Sequence, residues 1–369
     1  MTTDLTARLL DLACAIQQIP APTFAEGLRA AFVRDQFAAL GLADVEVDDL
    51  HNVYARRPGQ GTAAPVLLTA HTDTVFPAET PLTLVREPDR IAGPSIGDNS
   101  LGVAGLFGVL WALGSEPLPG DLYLAANVGE EGLGDLRGMR RVIDRLGGTV
   151  QATLVLEGMA FGHIYHSAIG VRRLRITAQA EGGHSWLHFG RPSAIHALMR
   201  LGAQIADLNV PASPKTTFNI GTLTGGTSIN TIAREASFDL DLRSESPAAL
   251  AALVAQVEQL VARANTADVR VSAAVIGDRP AGHIPREHPL VQAAARALEA
   301  AGLTSYSYET GSTDANVPLS RGLACVCVGL TRGGHSHRPD EYIDTRDVGR
   351  GLDSVTRLVR AAFATAPDR

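Results

Sequence analysis

The chain has 369 residues, 45% of them hydrophobic and 19% charged, which is enough apolar sequence for two domains that each bury a core. A formal net charge of −7 and a sequence pI of about 5.9 argue against nucleic acid or a membrane as a partner. The first twenty residues lack a signal-peptide pattern, and three cysteines cannot form a disulfide framework. We therefore expect a cytoplasmic protein whose thiols are buried as small apolar residues.

Short apolar runs alternate with helical patterns through the first 168 residues. A first helix is predicted to begin at Thr3 or Asp4, because large apolar residues then recur on one helical face. Buried strands are predicted at 66–70, 122–128 and 153–156, and a glycine-rich helix at 101–113 that is too short to span a membrane. This alternation predicts an α/β fold, with a mostly parallel mixed sheet and helices on both faces.

A different rhythm begins near residue 170, where a strand alternates apolar and polar residues. The predicted order is strand 171–180, helix 193–207, strands 217–223 and 236–242, helix 247–264 and strand 269–275, which is a ferredoxin-like α+β arrangement. The first rhythm then resumes with helix 289–302, strand 324–329 and helix 348–364. We therefore predict one domain of residues 1–168 and 282–369, with a second domain of residues 169–281 inserted into it.

Side chains of the metal-ligand type follow all three buried strands of the first segment. His71 ends the first strand, Glu130 and Glu131 follow the second, and Glu157 follows the third. Ligands of parallel sheets bind outside the carboxyl ends of the strands, so we expect these groups at one sheet edge. Asp98 directly precedes the glycine-rich helix and can reach the same edge.

Histidines near the end of the chain, His335 and His337, complete a candidate metal site. The ligand set we predict contains two imidazoles and three carboxylates: His71, Asp98, Glu131, Glu157 and His337. Imidazole and carboxylate ligands together suit zinc, with cobalt or manganese as alternatives. Five protein ligands are more than one tetrahedral ion binds. The set suits two divalent ions bridged by Asp98, with Glu130 as general base and Asp73 orienting His71.

Isolated histidines or paired glutamates in loops are usually solvated and carry no function. Here most of the charged groups directly follow apolar strands, and an unpaired buried carboxylate costs several kcal/mol. We therefore interpret these charged residues together as a site whose negative charge is compensated by bound metal cations.

Four motifs in chain order resemble those of the M20 metallopeptidases: HTDTV at 71–75, GDN at 97–99, GEEG at 129–132 and LEG at 156–158. That family includes glutamate carboxypeptidases, acetylornithine deacetylase, succinyl-diaminopimelate desuccinylase and tripeptide aminopeptidases. The resemblance implies that His71 and Glu157 hold one zinc and that Glu131 and His337 hold the other. It also implies a cis bond between Asp98 and Asn99, and it favours His337 over His335 because Glu341 follows four residues later.

The resemblance assigns substrate groups as well. His184, in the inserted domain, would stabilise the oxyanion, and Asn230 and Arg243 would bind the carbonyl or carboxylate of the substrate. Ser312 and Thr313 would lie in a substrate-binding loop. Relatives often form homodimers through the inserted lid domain, so a homodimer is expected here.

The function expected from these features is hydrolysis of an amide or peptide bond in a small substrate. Glutamate at position 157 resembles the carboxypeptidases and deacylases, which favours a short peptide or an N-acyl amino acid as substrate. The alternative is a di- or tripeptide aminopeptidase of the peptidase T kind, whose relatives usually carry aspartate there. A remoter alternative is a protein that keeps the fold and binds a ligand without catalysing a reaction.

Overall fold

The computed structural model describes residues 3–364. The helices in this range are α1 Thr3–Gln17, α2 Gly27–Ala39, α3 Gly102–Leu113, α4 Arg137–Leu146, α5 Ala194–Ala206, α6 Pro247–Ala264, α7 Pro289–Ala300, α8 Asn316–Ser320 and α9 Val348–Ala362. The strands are β1 Ala43–Val47, β2 Val53–Arg57, β3 Val66–His71, β4 Val85–Glu87, β5 Arg90–Ala92, β6 Leu122–Asn127, β7 Ala152–Leu156, β8 His163–Ala168, β9 Gly170–Ala180, β10 Gly183–His184, β11 Thr216–Gly225, β12 Thr231–Ile232, β13 Glu235–Ser244, β14 Val269–Arg279, β15 Gly282–His283, β16 Ser307–Gly311, β17 Cys325–Val328, β18 Gly333–Gly334 and β19 Tyr342–Asp344.

The chain divides into two compact units. Unit 1 combines the residues up to Ala168 with those from Gly282 onward, and unit 2 comprises Ile169–Ala281. That unit 2 acts as a lid or dimerisation domain stays a prediction.

Unit 1 is built on a mixed sheet with the strand order β1-β2-β6-β3-β7-β17-β8-β15, and β16 pairs with β8. The strands β6, β3, β7 and β17 are parallel neighbours, and antiparallel pairs flank them on both sides. Every residue of β3, β7 and β17 is buried, as expected for strands covered on both faces. The predicted fold class, a mostly parallel mixed sheet with helices, is confirmed.

The helix α3 lies in the core of unit 1, where it packs against α1, α9 and β3. Together with the turn before it, the stretch Ile96–Leu113 is long and apolar enough to cross a membrane by length and composition. However, 83% of this stretch is buried inside the protein, as in the core helix of a globular domain.

The three cysteines are also buried, with free thiols.

Unit 2 is a four-stranded antiparallel sheet in the order β11-β13-β9-β14, with α5 and α6 packed on one face. Alternate residues of β13 are buried against these helices, which explains the alternating sequence pattern. The helix α6 begins at Pro247, where the Ser246 side chain accepts a hydrogen bond from the Ala249 backbone. The order of elements is the ferredoxin-like one that the sequence predicts.

Candidate metal centre

The carboxyl ends of three parallel strands bring the predicted ligands to one edge of the unit 1 sheet. His71 is the last residue of β3, Glu131 lies four residues beyond β6, and Glu157 directly follows β7. Asp98 reaches this edge from an irregular turn, Ile96–Leu101, that includes the cis Asp98–Asn99 peptide bond. His337 lies in the loop between β18 and β19.

The Asp98 carboxylate joins two groups of side chains. Its Oδ1 atom lies 3.1 Å from Nε2 of His71, which in turn lies 3.6 Å from Oε2 of Glu157. Its Oδ2 atom lies 3.3 Å from Nε2 of His337, which in turn lies 3.2 Å from Oε1 of Glu131. The structure therefore brings all five predicted ligands together, with Asp98 shared by the two halves.

The charges in this cluster strongly perturb one another. Burial disfavours a charged His71, but Glu157, Asp73 and Asp98 outweigh it and raise the pKa of that imidazole well above its usual range. Hydrogen bonds to Asp98 and Glu131 raise the pKa of His337 to about 10. Burial raises the pKa of Glu157 to about 7. The imidazoles and carboxylates of the cluster are therefore close enough to interact strongly.

Asp73 fixes the loop that carries the predicted base. Its two carboxylate oxygens accept hydrogen bonds from the backbone amides of Glu130 and Glu131, each at 2.9 Å. Its Oδ1 atom also lies 3.5 Å from Nδ1 of His71, so that Nε2 faces the cluster. Thr23 donates a further hydrogen bond to Asp73 at 2.8 Å. One buried carboxylate thus orients a predicted ligand and positions Glu130, which lies close to His71 and Glu131.

Two side chains hold the turn that carries Asp98. Glu341, which is fully buried, accepts hydrogen bonds from the backbone amides of Gly97 and Asp98, both at 2.8 Å. Asn99 links the turn to the end of β7, because its amide donates to the Leu156 carbonyl and accepts from the Gly158 amide. The amide of Asn99 thus supplies both a donor and an acceptor to the end of β7.

His335 lies apart from the ligand cluster. Its Nδ1 atom lies 2.9 Å from the Asp340 carboxylate, and its ring packs edge-on against Tyr342. Among the described residues, it belongs to none of the groups whose ligand atoms converge, whereas His337 does. The geometry therefore favours His337 over His335 as a metal ligand.

The loop of Ser312 and Thr313 joins β16 to α8 in unit 1. The next residue, Asp314, is fully buried and accepts a hydrogen bond of 2.6 Å from the Asn127 amide at the end of β6. Asn127 pairs with His71 across the β3–β6 ladder, so the loop is tied to the strands that carry the cluster. Thr313 uses its hydroxyl to accept from the Ala315 amide. The substrate-binding roles of Ser312 and Thr313 stay predictions.

Unit 2 places His184 and Asn230 side by side. The short strands β10 and β12 pair His184 with Thr231, and the Ser185 amide donates to the Asn230 carbonyl at 2.9 Å. Both residues are exposed. Arg243 lies elsewhere, near the far end of β13, about 27 Å along the strand from its start at Glu235. The structure therefore does not bring Arg243 together with the other two within unit 2.

Arg243 lies on the open face of the unit 2 sheet and contacts a carboxylate. Its Nε atom lies 2.6 Å from Oδ2 of Asp241, whose other oxygen lies 3.1 Å from Nε of Arg173. Its side chain remains 40% exposed, so its outer nitrogens can still reach a ligand. The substrate-binding roles of Asn230 and Arg243 stay predictions.

Several residues that shape this centre were not predicted from the sequence, namely Thr23, Arg29, Asn127 and Asp314. Asn127 offered a signal, because it is a polar residue at the end of an apolar strand, as His71 is. The others lie in a loop or helix without any unusual local pattern.

Comparison with known proteins identifies the family of the chain. The model of peptidase family M20/M25/M40 matches residues 67–361, which is most of the chain and includes all five clustered ligands. The chain belongs to peptidase family M20/M25/M40. This membership confirms the resemblance drawn from the motifs and the predicted class of enzyme.

Relatives of the chain include a succinyl-diaminopimelate desuccinylase from Corynebacterium glutamicum, 30% identical over 204 residues, or 55% of this chain and 53% of that protein. The chain spans about half the length of the curated relatives it matches. A tripeptidase from Staphylococcus aureus has the same fold, with a TM-score of 0.81 and 20% identity over 97% of this chain and 99% of that one. So does a Bacillus subtilis protein described as a dinuclear metal-binding M20 peptidase, with a TM-score of 0.71 and 15% identity over 99% and 100%.

Proposed function

We propose that this protein is a hydrolase with two divalent metal ions, which cleaves the amide bond of an N-acyl amino acid or a short peptide with a free carboxylate. The observation that carries this proposal is the pair of ligand groups that share Asp98. Zinc is the metal we favour, with cobalt or manganese as alternatives, because imidazole and carboxylate are the donors present. A small soluble substrate in the cytoplasm is the setting that we expect.

The spacing of the ligand atoms fits such ions. Ligands 2.0–2.1 Å from a tetrahedral zinc lie about 3.3 Å from one another. The nitrogen–oxygen distances in the cluster range from 3.1 to 3.6 Å. The single N–H group of a histidine Nε2 cannot donate good hydrogen bonds to two carboxylates at once. A cation between that nitrogen and the two carboxylate oxygens can contact all three atoms. The fold is also that of a protein described as dinuclear.

The residues of this chain have distinct parts in the proposed reaction. When bound, a pair of divalent ions supplies an acidified water and compensates charge on the carbonyl oxygen. Glu130 accepts the proton of the attacking water and passes it to the departing amine. Asp73 keeps Glu130 in place through its backbone amide and keeps Nε2 of His71 directed at the cluster. His184 donates to the developing oxyanion.

Support for the substrate class comes from three sources. Arg243 retains an exposed guanidinium that can grip a carboxylate. In addition, a relative with 30% identity is named a desuccinylase, which is an enzyme acting on an N-acylated amino acid. Glu157 in place of the aspartate of aminopeptidase relatives points in the same direction.

A homodimer is part of the proposal. His184 and Asn230 lie at the opposite end of β13 from Arg243, so one small substrate cannot touch both sets within one unit 2. Two copies of the chain would resolve this conflict if His184 served the metal centre of the partner. The edge strand β11 offers ten residues of backbone for pairing between copies.

The experiment that tests the proposal is kinetics on matched substrates with protein of known metal content. Zinc-loaded protein should contain two ions per chain and hydrolyse N-acetyl amino acids and N-blocked dipeptides. Glu130→Gln should lower kcat by about 10²–10⁴-fold at unchanged metal content, whereas Glu87→Gln on the exposed strand β4 should be silent. Turnover confined to dipeptides with a free amine would instead show an aminopeptidase, and protein that binds no metal would refute the proposal.

A further inference from the structure

Three exposed apolar side chains of unit 1 lie close in sequence to residues of the charged cluster. Phe24 is 58% exposed, Leu133 is 53% exposed and Val75 is 38% exposed. Each lies within two residues of a group that belongs to the centre: Val75 follows Asp73, and Leu133 follows Glu131. Phe24 adjoins Thr23, whose hydroxyl donates to Asp73. An exposed apolar surface beside a charged site is the kind of surface that a ligand can cover.

Phe24 is held in place rather than left free. Its backbone has a φ of +77°, a conformation that is uncommon for a bulky residue and is kept only where surrounding contacts enforce it. Its backbone amide donates to Oε1 of the buried Glu26 at 3.0 Å. The same carboxylate accepts from Arg137 at 2.9 and 3.0 Å, and that guanidinium lies 4.7 Å from the centre of the Phe24 ring. The exposed ring is thus preorganised.

The same contacts tie Phe24 to the loop of the catalytic base. Gly129, with a φ of +66°, lies against Arg137, and a Cβ there would come within 2.7 Å of the Arg137 Cγ atom. On the other side, the residues flanking Phe24 and Val75 are joined, because Thr74 donates to the Ala21 carbonyl and Thr23 donates to the Thr74 carbonyl. Phe24 and Val75 therefore lie on adjoining segments at the edge of the centre.

We infer that Phe24, Val75 and Leu133, here termed the apolar platform, bind the acyl group of the substrate and select acyl groups with an extended hydrocarbon chain. The inference rests on the proposed function, in which the leaving half of the substrate carries a carboxylate. Contact with an apolar surface is unfavourable for that charged half of the substrate. Arg137 does not compensate its charge, because its guanidinium is already paired with Glu26. The uncharged acyl half is the part that gains from contact with the platform.

The test is a series of acyl groups on one amino acid: acetyl, hexanoyl and succinyl. In the wild-type protein, kcat/KM should be about tenfold higher for hexanoyl than for acetyl, since four added methylenes contact the platform. The charged succinyl group should be no better than acetyl. Phe24→Ala should lower the hexanoyl-to-acetyl ratio of kcat/KM to about twofold or less, whereas Phe24→Leu should keep much of that ratio.

A matched control is Leu40→Ala, which truncates an exposed apolar residue at the opposite end of α2, about 20 Å from Phe24. It should leave the hexanoyl-to-acetyl ratio unchanged. Leu133→Ser tests the platform independently of the fold around Phe24 and should also lower that ratio. Normal acetyl turnover with no chain-length preference, or a preference for succinyl, would overturn the inference alone. No turnover of any N-acyl amino acid would overturn the proposed function along with it.

Discussion

At the scale of single residues, a buried cation supports the loop that carries the candidate ligand His71 through hydrogen bonds to backbone carbonyls. Arg29 on α2 is 1% exposed and donates hydrogen bonds to the Ile19 carbonyl at 2.8 and 3.1 Å. It also donates to the carbonyl of Thr72, between His71 and Asp73, at 2.8 Å. Burial lowers the pKa of Arg29 to about 10, and the opposing charge of Asp73 limits the decrease. Arg29 remains a cation at neutral pH behind the loop that carries His71.

We predict that Arg29→Met destabilises the protein by about 3 kcal/mol, because the buried Thr72 carbonyl and the partly buried Ile19 carbonyl lose their donor. Urea unfolding followed by circular dichroism measures this free energy. Arg34→Met is the control, since Arg34 lies on the same helix but is exposed and forms an ion pair with the exposed Asp35. It should cost under about 0.5 kcal/mol. Equal unfolding free energies for the two variants would show that Arg29 has no such role.

Three of the candidate ligands, His71, Glu131 and Glu157, could be predicted locally because each is a titratable residue at or just beyond the end of an apolar strand. Asp98 and His337 lie in a turn and a loop, and the resemblance to a known family was needed to choose His337. Arg29 and Glu341 could not be predicted, because they act on backbone groups far away along the chain. Glu341 accepts from Gly97, 244 residues earlier, and no local pattern encodes that hydrogen bond. The apolar platform was missed for a similar reason, since its three members come from three separate loops.

At the scale of elements, local patterns predicted the strands that are buried on both faces, and missed the flanking ones. Strands β3, β6 and β7 were predicted within two residues at each end, because their apolar runs are continuous. Strands β1 and β8 mix polar and apolar residues, so their sequences do not indicate a buried strand. They join the sheet through pairing with neighbouring strands. In unit 2, regular alternation made every long strand predictable.

The open face of the unit 2 sheet carries ion pairs between β9 and β13, with Asp241 between Arg243 and Arg173. Burial alone would raise the pKa of Asp241, but the two arginines outweigh it and lower that pKa below its usual value. A carboxylate with a lowered pKa stabilises the folded state above the pKa of the unfolded chain, which is about 4. That stability is lost as the pH falls through the lower pKa of the folded state.

We therefore predict that Asp241→Asn destabilises unit 2 by about 1 kcal/mol at pH 7, and that the difference from wild type shrinks as the pH falls below about 4. Denaturant unfolding at a series of pH values between 7 and 3 measures it. Asp268→Asn, on a turn of the same unit, should show no such pH dependence. A difference that stays constant across this range would mean that packing, not charge, explains the effect.

At the scale of the whole molecule, the metal centre joins distant parts of unit 1. Its five predicted ligands come from residues 71 to 337, so bound ions should stabilise the folded state and not the unfolded one. We predict that removing metal with a chelator lowers the melting temperature and abolishes activity, and that zinc restores both. At zinc concentrations about 1,000 times Kd, the stabilisation should be about 4 kcal/mol. Asp98→Asn, which lacks the shared carboxylate, should show a much smaller response to zinc in differential scanning calorimetry.

The proposed assembly can be tested by mixing two inactive variants. Glu130→Gln leaves a chain without a base, and His184→Ala leaves a chain without the donor to the oxyanion. If His184 serves the partner's metal centre, a mixed dimer holds one complete site, formed by Glu130 of one chain and His184 of the other. Random exchange of subunits makes half of the dimers mixed, so the mixture should recover about a quarter of wild-type activity. A mixture that stays as inactive as its parents, although light scattering shows dimers that exchange, would place His184 at the metal centre of its own chain.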